Sequence, residues 1–222
     1  MEKININSHR QGKFPELKEG DKYKLTLSEL FIDGLKMTKA NGLVVAKILN
    51  SHNVKFMFIG GTTIGCHTGR PRSTQDVDLI VGNDLDDAIL DEIGFAVSAK
   101  RLEKYSSFIS FIVDTAVGDR EILDIITSKA GSYGIALENT ITLIIEGVEI
   151  KIPTAEMLIV LKYTSAINPI RNKSKSLQDW ADLFSIVDAN LNLKLYTIKY
   201  IADNIVPGWG EDLIMKINGH KK

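Results

Sequence analysis

The chain has 222 residues, 44% of them apolar and 25% charged, which is enough to bury a core as one domain or one domain with an appendage. No apolar run reaches membrane-spanning length and no basic start leads into an apolar segment, so a cytoplasmic protein without membrane span or signal peptide is expected. The lone cysteine, Cys66, excludes an internal disulfide and a thiolate metal cluster, and the net charge of −1 does not mark the chain as a bulk nucleic-acid binder.

Residues 1–24 are polar, with Gly12, Pro15 and Gly20 breaking any period, and are expected to form an irregular arm. From Thr26 the pattern turns helical, Ser28 serving as cap and Leu30, Phe31 and Leu35 recurring at helical spacing. A second helix is expected over Asn41–Ser51, with Leu43, Val44, Ile48 and Leu49 as its apolar stripe. Lys55–Ile59 then reads as a buried strand that stops at Gly60-Gly61. A short helix should follow, and Val77–Val81 is the next strand.

Side chains alternate along a strand, so Asp76 and Asp78 must share one face while Val77 and Leu79 enter the core. Two carboxylates in one small volume raise each other's pKa unless a cation sits between them. Mg²⁺ suits such a pair, because it takes one or two carboxylates together with substrate phosphate oxygens. Gly60 and Gly61 lack Cβ atoms, which lets backbone N–H groups approach a phosphate closely, and Thr62 and Thr63 can donate hydroxyls or cap the helix. Taken singly, a Gly-Gly is a turn and an Asp-x-Asp is a solvated strand. Together, with fourteen residues between Gly61 and Asp76, they form a far more specific pattern.

Further along, Asp84–Ile93 reads as a helix stopped by Gly94, and Phe95–Ala99 as a short strand. Phe108–Val113 and Glu121–Thr127 are further strands about a Gly118-Asp119 turn. Inside the last of these, Asp124 lies among Leu123, Ile125 and Ile126, where an ionised carboxylate needs a partner. Asp114 competes for such a role but stands at a strand end. Ile141–Glu146 and Val148–Ile152 read as a hairpin joined at Gly147. Thr154 caps a helix that buries Met157, Leu158, Val160 and Leu161; Lys162 ends that buried run and by itself is a snorkelling lysine in the helix's final turns. After the break at Asn168–Arg171, Asp179 and Asp182 share a helix face. Helices near Leu193–Asn204 and Gly210–Ile217 complete a helical cap.

The order strand, Gly-Gly, short helix, Asp-Val-Asp-Leu resembles the signature of the polymerase-β-like nucleotidyltransferase superfamily. The run Arg72-Ser73-Thr74-Gln75-Asp76-Val77-Asp78, with His67 upstream, is similar to the abortive-infection AbiE-type (AbiEii) nucleotidyltransferase toxins. Lys175–Leu183 resembles that family's Lys-Asp-x-x-Asp helix start, with Gln178 where a lysine commonly stands. The resemblance implies an α/β fold: a mixed, twisted sheet of about five strands over residues 25–152, with a C-terminal helical region over 153–222. It implies Mg²⁺-dependent transfer of NMP from an NTP, with Mn²⁺ as the alternative ion. Asp76, Asp78 and Asp124 would be the metal ligands and, with Lys162, the catalytic set. Gly60, Gly61, Thr62, Arg72, Thr74, Asp179 and Asp182 would bind nucleotide. The implied acceptor is a tRNA end or a protein hydroxyl, and a cognate antitoxin is the implied partner. A small-molecule acceptor and a non-catalytic nucleotide- or partner-binding module remain alternatives. No Walker-type loop, His-Glu-x-x-His, Gly-x-Ser-x-Gly, zinc spacing or internal repeat is present.

Overall fold

The computed structural model of the protein describes residues 19–36, 38, 40–70, 72–82, 85–105, 107–127 and 132–221. Helices α1 (Glu19–Lys36) and α2 (Gly42–Ser51) precede strand β1 (Phe56–Ile59), helix α3 (Gly61–Thr68) and strand β2 (Val77–Val81). Helix α4 (Asp87–Val97) leads into a meander of β3 (Lys100–Tyr105), β4 (Phe108–Thr115) and β5 (Gly118–Thr127). Helix α5 (Ser132–Glu138) and the hairpin β6 (Thr140–Ile145) and β7 (Val148–Pro153) follow. The chain ends in α6 (Ala155–Ala166), α7 (Lys173–Ala189), α8 (Leu195–Ile205) and α9 (Trp209–His220). No helix among the described residues is long and apolar enough to cross a membrane.

The expected mixed sheet is present, with strand order β1-β2-β5-β4-β3. Its one parallel pair joins β2 to β5 and sets Asp78 opposite Asp124, while antiparallel pairing sets Ser110 opposite Asp124 on the other side. Alternation then sorts the strands. Phe56, Phe58, Val77, Leu79, Val81, Leu123 and Ile125 face a core built with α1, α2, α4 and the β6–β7 hairpin. Met57 and Ile80 point the other way and pack with α6 to α9. No residue of β3, β4 or β5 belongs to this second cluster among the described residues, so the C-terminal helices pack on the β1–β2 end of that face. Asp78 and Asp124 lie where this cover ends.

Three local expectations are corrected. Helix α1 begins at Glu19, so residues 19–24 are helical and Ser28 is a buried mid-helix residue rather than a cap. The remainder of the expected arm lies outside the described residues. Helix α4 runs through Gly94 to Val97, and Ser98 caps it in the left-handed region, so Phe95–Ala99 is not a strand. Gly94 serves packing rather than termination, since a Cβ there would lie 3.2 Å from the Ala99 carbonyl and 3.3 Å from the Phe111 ring. Strand β3 and helix α5 form where no element was expected. The β6–β7 turn is Glu146-Gly147, both at positive φ, as a two-residue hairpin loop of this type requires.

Phe58 ties the first core together, edge-on to Phe31 at 5.0 Å and to Phe56 at 5.9 Å. It is fully buried, so Phe58→Ala should cost about 3–5 kcal/mol. Urea unfolding measures this, and a loss under about 1 kcal/mol would mean that the aromatic cluster is not the anchor of this layer.

Candidate active site

The site is assembled from the turn after β1, the start of β2, the interior of β5 and the helices α6 and α7. Strand β1 delivers the chain to Gly60, whose φ of 71° and ψ of −151° lie in a region open essentially only to glycine. A Cβ at Gly60 would stand 1.9 Å from Asp78 Oδ2, so the turn and the carboxylate occupy adjoining space only because residue 60 has no side chain. Gly61 is equally confined, since a Cβ there would lie 2.6 Å from the Thr74 Cβ and 2.7 Å from Arg72 Nη1. Helix α3 starts here with its N-terminus, the positive end of its dipole, at the turn.

Asp76 lies just ahead of β2 in a bend, yet its carboxylate stands beside that of Asp78, and Asp124 joins them across the parallel pair. One carboxylate oxygen from each lies within 4.8 Å of the others. Burial first, and then the charges of Asp76 and Asp124, push the Asp78 carboxyl up to about 7, partly offset by Lys162 and Arg171. Thr74 Oγ1 donates to Asp76 Oδ1 at 2.7 Å, and Ser110 Oγ donates to Asp124 Oδ1 at 2.5 Å. A concentrated, partly buried acid cluster of this kind fits a divalent cation with oxygen ligands.

Facing the acids is a cationic group, Lys162 of α6, Arg171 of the connection to α7 and Arg72 ahead of β2, held by two aspartates of α7. Lys162 Nζ donates to Asp179 Oδ1 and Asp182 Oδ2, both at 2.8 Å. Arg72 Nε donates to Asp182 Oδ1 at 2.9 Å, Gln178 Nε2 donates to the same oxygen at 3.0 Å, and Arg171 Nε donates to Asp179 Oδ2. Asp179 and Asp182 are buried. Every oxygen of the two carboxylates therefore accepts from a neighbouring side chain, and they hold the cations rather than stand as open ligands. Acids and cations border one cavity of about 400 Å³, whose wall also includes Phe108, Ile126, Tyr133 and Leu158.

Of the residues expected at the site, Gly60, Gly61, Arg72, Thr74, Asp76, Asp78, Asp124, Lys162 and Asp179 line this cavity. Asp182 stands behind Arg72 and Lys162. Thr62 is not among the lining residues: it is buried, and its hydroxyl donates to the Ile59 carbonyl at 3.1 Å. Thr63 likewise donates to the Gly60 carbonyl, so neither threonine caps α3. His67 is buried with Nε2 donating to the Pro153 carbonyl at 2.8 Å, and burial holds its imidazole below the ordinary range. Burial pushes the Cys66 thiol up to about 12, which suits a packing residue and not a nucleophile. Sequence reasoning missed Ser110, Arg171 and Gln178 as parts of this network. Arg171 had one available signal, a basic residue eight positions before a buried aspartate across a helix start.

Residues 44–204 match the model of the family described as nucleotidyl transferase AbiEii toxin, type IV toxin–antitoxin system. That match covers well over half of the chain, and the protein belongs to this family of nucleotidyltransferases. No curated protein matches the chain. Solved structures similar to it include an antigenic nucleotidyltransferase-like protein from Paracoccidioides brasiliensis, at 17% identity over 89% of this chain and 93% of that one with a TM-score of 0.47. The antibiotic-resistance factor ANT(2″)-Ia is similar at 15% identity over 90% of this chain and 100% of that one, with a TM-score of 0.46.

The raised Asp78 pKa gives a signed prediction for the cation-free protein. The fold keeps a proton that the unfolded chain releases near 3.8, so the associated stability is present below that value and is lost as pH rises through about 7. In chelator, the melting temperature of the wild type should fall between pH 5 and pH 8 by more than that of Asp78→Asn. Added Mg²⁺ should raise it more at pH 8 than at pH 5, because the ion competes with the proton. Identical pH profiles for the two proteins would contradict this assignment.

Proposed function

We propose that the protein transfers a nucleoside monophosphate from an NTP to an acceptor hydroxyl at the Asp76–Asp78–Asp124 cluster, with Mg²⁺ as its metal. The acceptor oxygen gives up its proton to solvent and forms a bond to the α-phosphorus, the bond from that phosphorus to the bridging oxygen breaks, and pyrophosphate leaves with its electron pair. The observation that carries this reading is the convergence of three acidic side chains, from β2, β5 and the residue just ahead of β2, within 4.8 Å, beside a glycine turn and facing a cationic cluster.

Mg²⁺ held by the three carboxylates would neutralise triphosphate charge and lower the pKa of the acceptor hydroxyl. The chain supplies the rest. Gly60 and Gly61 let the triphosphate lie against the backbone at the start of α3. Lys162, Arg72 and Arg171 offset the charge that shifts toward the leaving pyrophosphate, and they are preset by Asp179 and Asp182 so that little reorganisation is needed at the moment of transfer. The acceptor approaches over Phe108 and Ile126, which line the same cavity and pair across β4 and β5 next to the Ser110–Asp124 pair.

An RNA end is the acceptor class this surface supports. Arg171, Lys173 and Lys175 are exposed at the rim in a segment, residues 162–178, that contains no acid, and Lys175 itself lines the cavity. The family's toxin–antitoxin setting adds a cognate antitoxin as the partner that restrains the activity in the cell.

Incubating the protein with each labelled NTP, Mg²⁺ and total RNA tests the reading. Asp76→Ala should reduce label transfer at least about a hundredfold, on the scale of removing a principal electrostatic stabiliser. Gly60→Ala should do the same, because its Cβ would displace the Asp78 carboxylate. Equal labelling by wild type and Asp76→Ala would overturn the proposal.

A further inference from the structure

We propose that Ser110 is a positioning residue for the third carboxylate of the site, acting through its hydrogen bond to Asp124. This rests on the reading of Asp76, Asp78 and Asp124 as a cation site.

Asp78, Asp124 and Ser110 stand in one row across β2, β5 and β4, each directly opposite the next in register. Ser110 is fully buried, and its hydroxyl donates to Asp124 Oδ1 at 2.5 Å. The stretch around it, Phe108-Ile109-Ser110-Phe111-Ile112-Val113, is otherwise wholly apolar, the polar Asp114 and Thr115 coming only at the end of β4. Packing alone would be served there by alanine or valine, and a buried hydroxyl without a partner is costly. What the serine adds is one fixed donor. Its single hydrogen engages one carboxylate oxygen and thereby sets the plane of the group, so that the carboxylate meets a cation without first giving up rotational freedom. Thr74 stands in the same relation to Asp76, donating at 2.7 Å. Each outer carboxylate of the cluster is thus oriented by a hydroxyl, while Asp78 between them is seated against Gly60. Hydrogen-bond partners of metal ligands commonly govern affinity by tenfold to a hundredfold.

The test measures Mn²⁺ binding to the full-length protein without nucleotide, from the paramagnetic resonance signal of the free ion. Wild type, Ser110→Ala and Ser110→Cys are compared, alone and in an Asp124→Asn background. The cysteine keeps the side-chain shape with a somewhat larger atom and offers only a weak donor, so it leaves no cavity and reports even where the alanine variant fails to fold. Both variants should bind Mn²⁺ about 10- to 100-fold more weakly than wild type. Neither should weaken it further once Asp124 is asparagine. A merely structural role would lower the melting temperature while leaving Mn²⁺ affinity unchanged, or would weaken it equally in both backgrounds, and either result overturns the inference for Ser110 alone. If wild type binds Mn²⁺ no better than Asp76→Ala, the cation site itself is refuted and the role of Ser110 falls with it.

Discussion

Three carboxylates in one small volume repel one another, and the rest of this protein can be understood as what keeps them there. The parallel pairing of β2 with β5 sets Asp78 beside Asp124, a single turn of chain before β2 brings in Asp76, and Gly60 yields the space that Asp78 fills. In the absence of a cation the cost appears as a proton retained by Asp78 at pH values where an ordinary aspartate has lost it. The apolar layers on either face of the sheet supply the rigidity against which that repulsion works. Fully buried Leu79 and Ile125 flank the two strands on one face, and Met57 and Ile80 lock the other to the C-terminal helices.

The opposite wall is a matching arrangement of cations that would also repel one another if left alone. Asp179 and Asp182 resolve that conflict, each bridging two cationic side chains from different parts of the chain. Removing one partner of such a buried pair leaves an uncompensated charge, so the group acts as a unit and couples α6 and α7 to the loop ahead of β2. The C-terminal helices therefore do more than complete a core. They carry the positive half of the site to the negative half.

Much of this was legible in the sequence, and what was not has identifiable causes. Asp76 and Asp78 could be paired from strand alternation alone, and Asp124 from the cost of a carboxylate inside an apolar run. The partner of Asp124 could not. Counting outward from the Thr115↔Gly118 pair would set Ser110 opposite Leu123, but Ile122 is an extra residue that shifts the register by one and puts Ser110 opposite Asp124 instead. A bulge of that kind leaves no composition signal. Gly94 misled for a similar reason, because a glycine demanded by close packing against Phe111 looks the same in sequence as one that ends a helix. Thr62 looked like a phosphate ligand beside the glycine pair, yet its hydroxyl is taken by a carbonyl three residues back. Asp179 and Asp182 were visible as a pair on one helix face. That they hold cations depends on the tertiary approach of Arg72, which lies 110 residues away from Asp182 in the chain.

The most direct test of the central claim is a crystal structure of the full-length protein with Mn²⁺ and a non-hydrolysable NTP analogue, using the anomalous signal of the metal to locate it. The account predicts a peak at coordination distance from oxygens of Asp76, Asp78 and Asp124, with the triphosphate lying between that peak and Lys162. A bound triphosphate with no metal among these three side chains would contradict it.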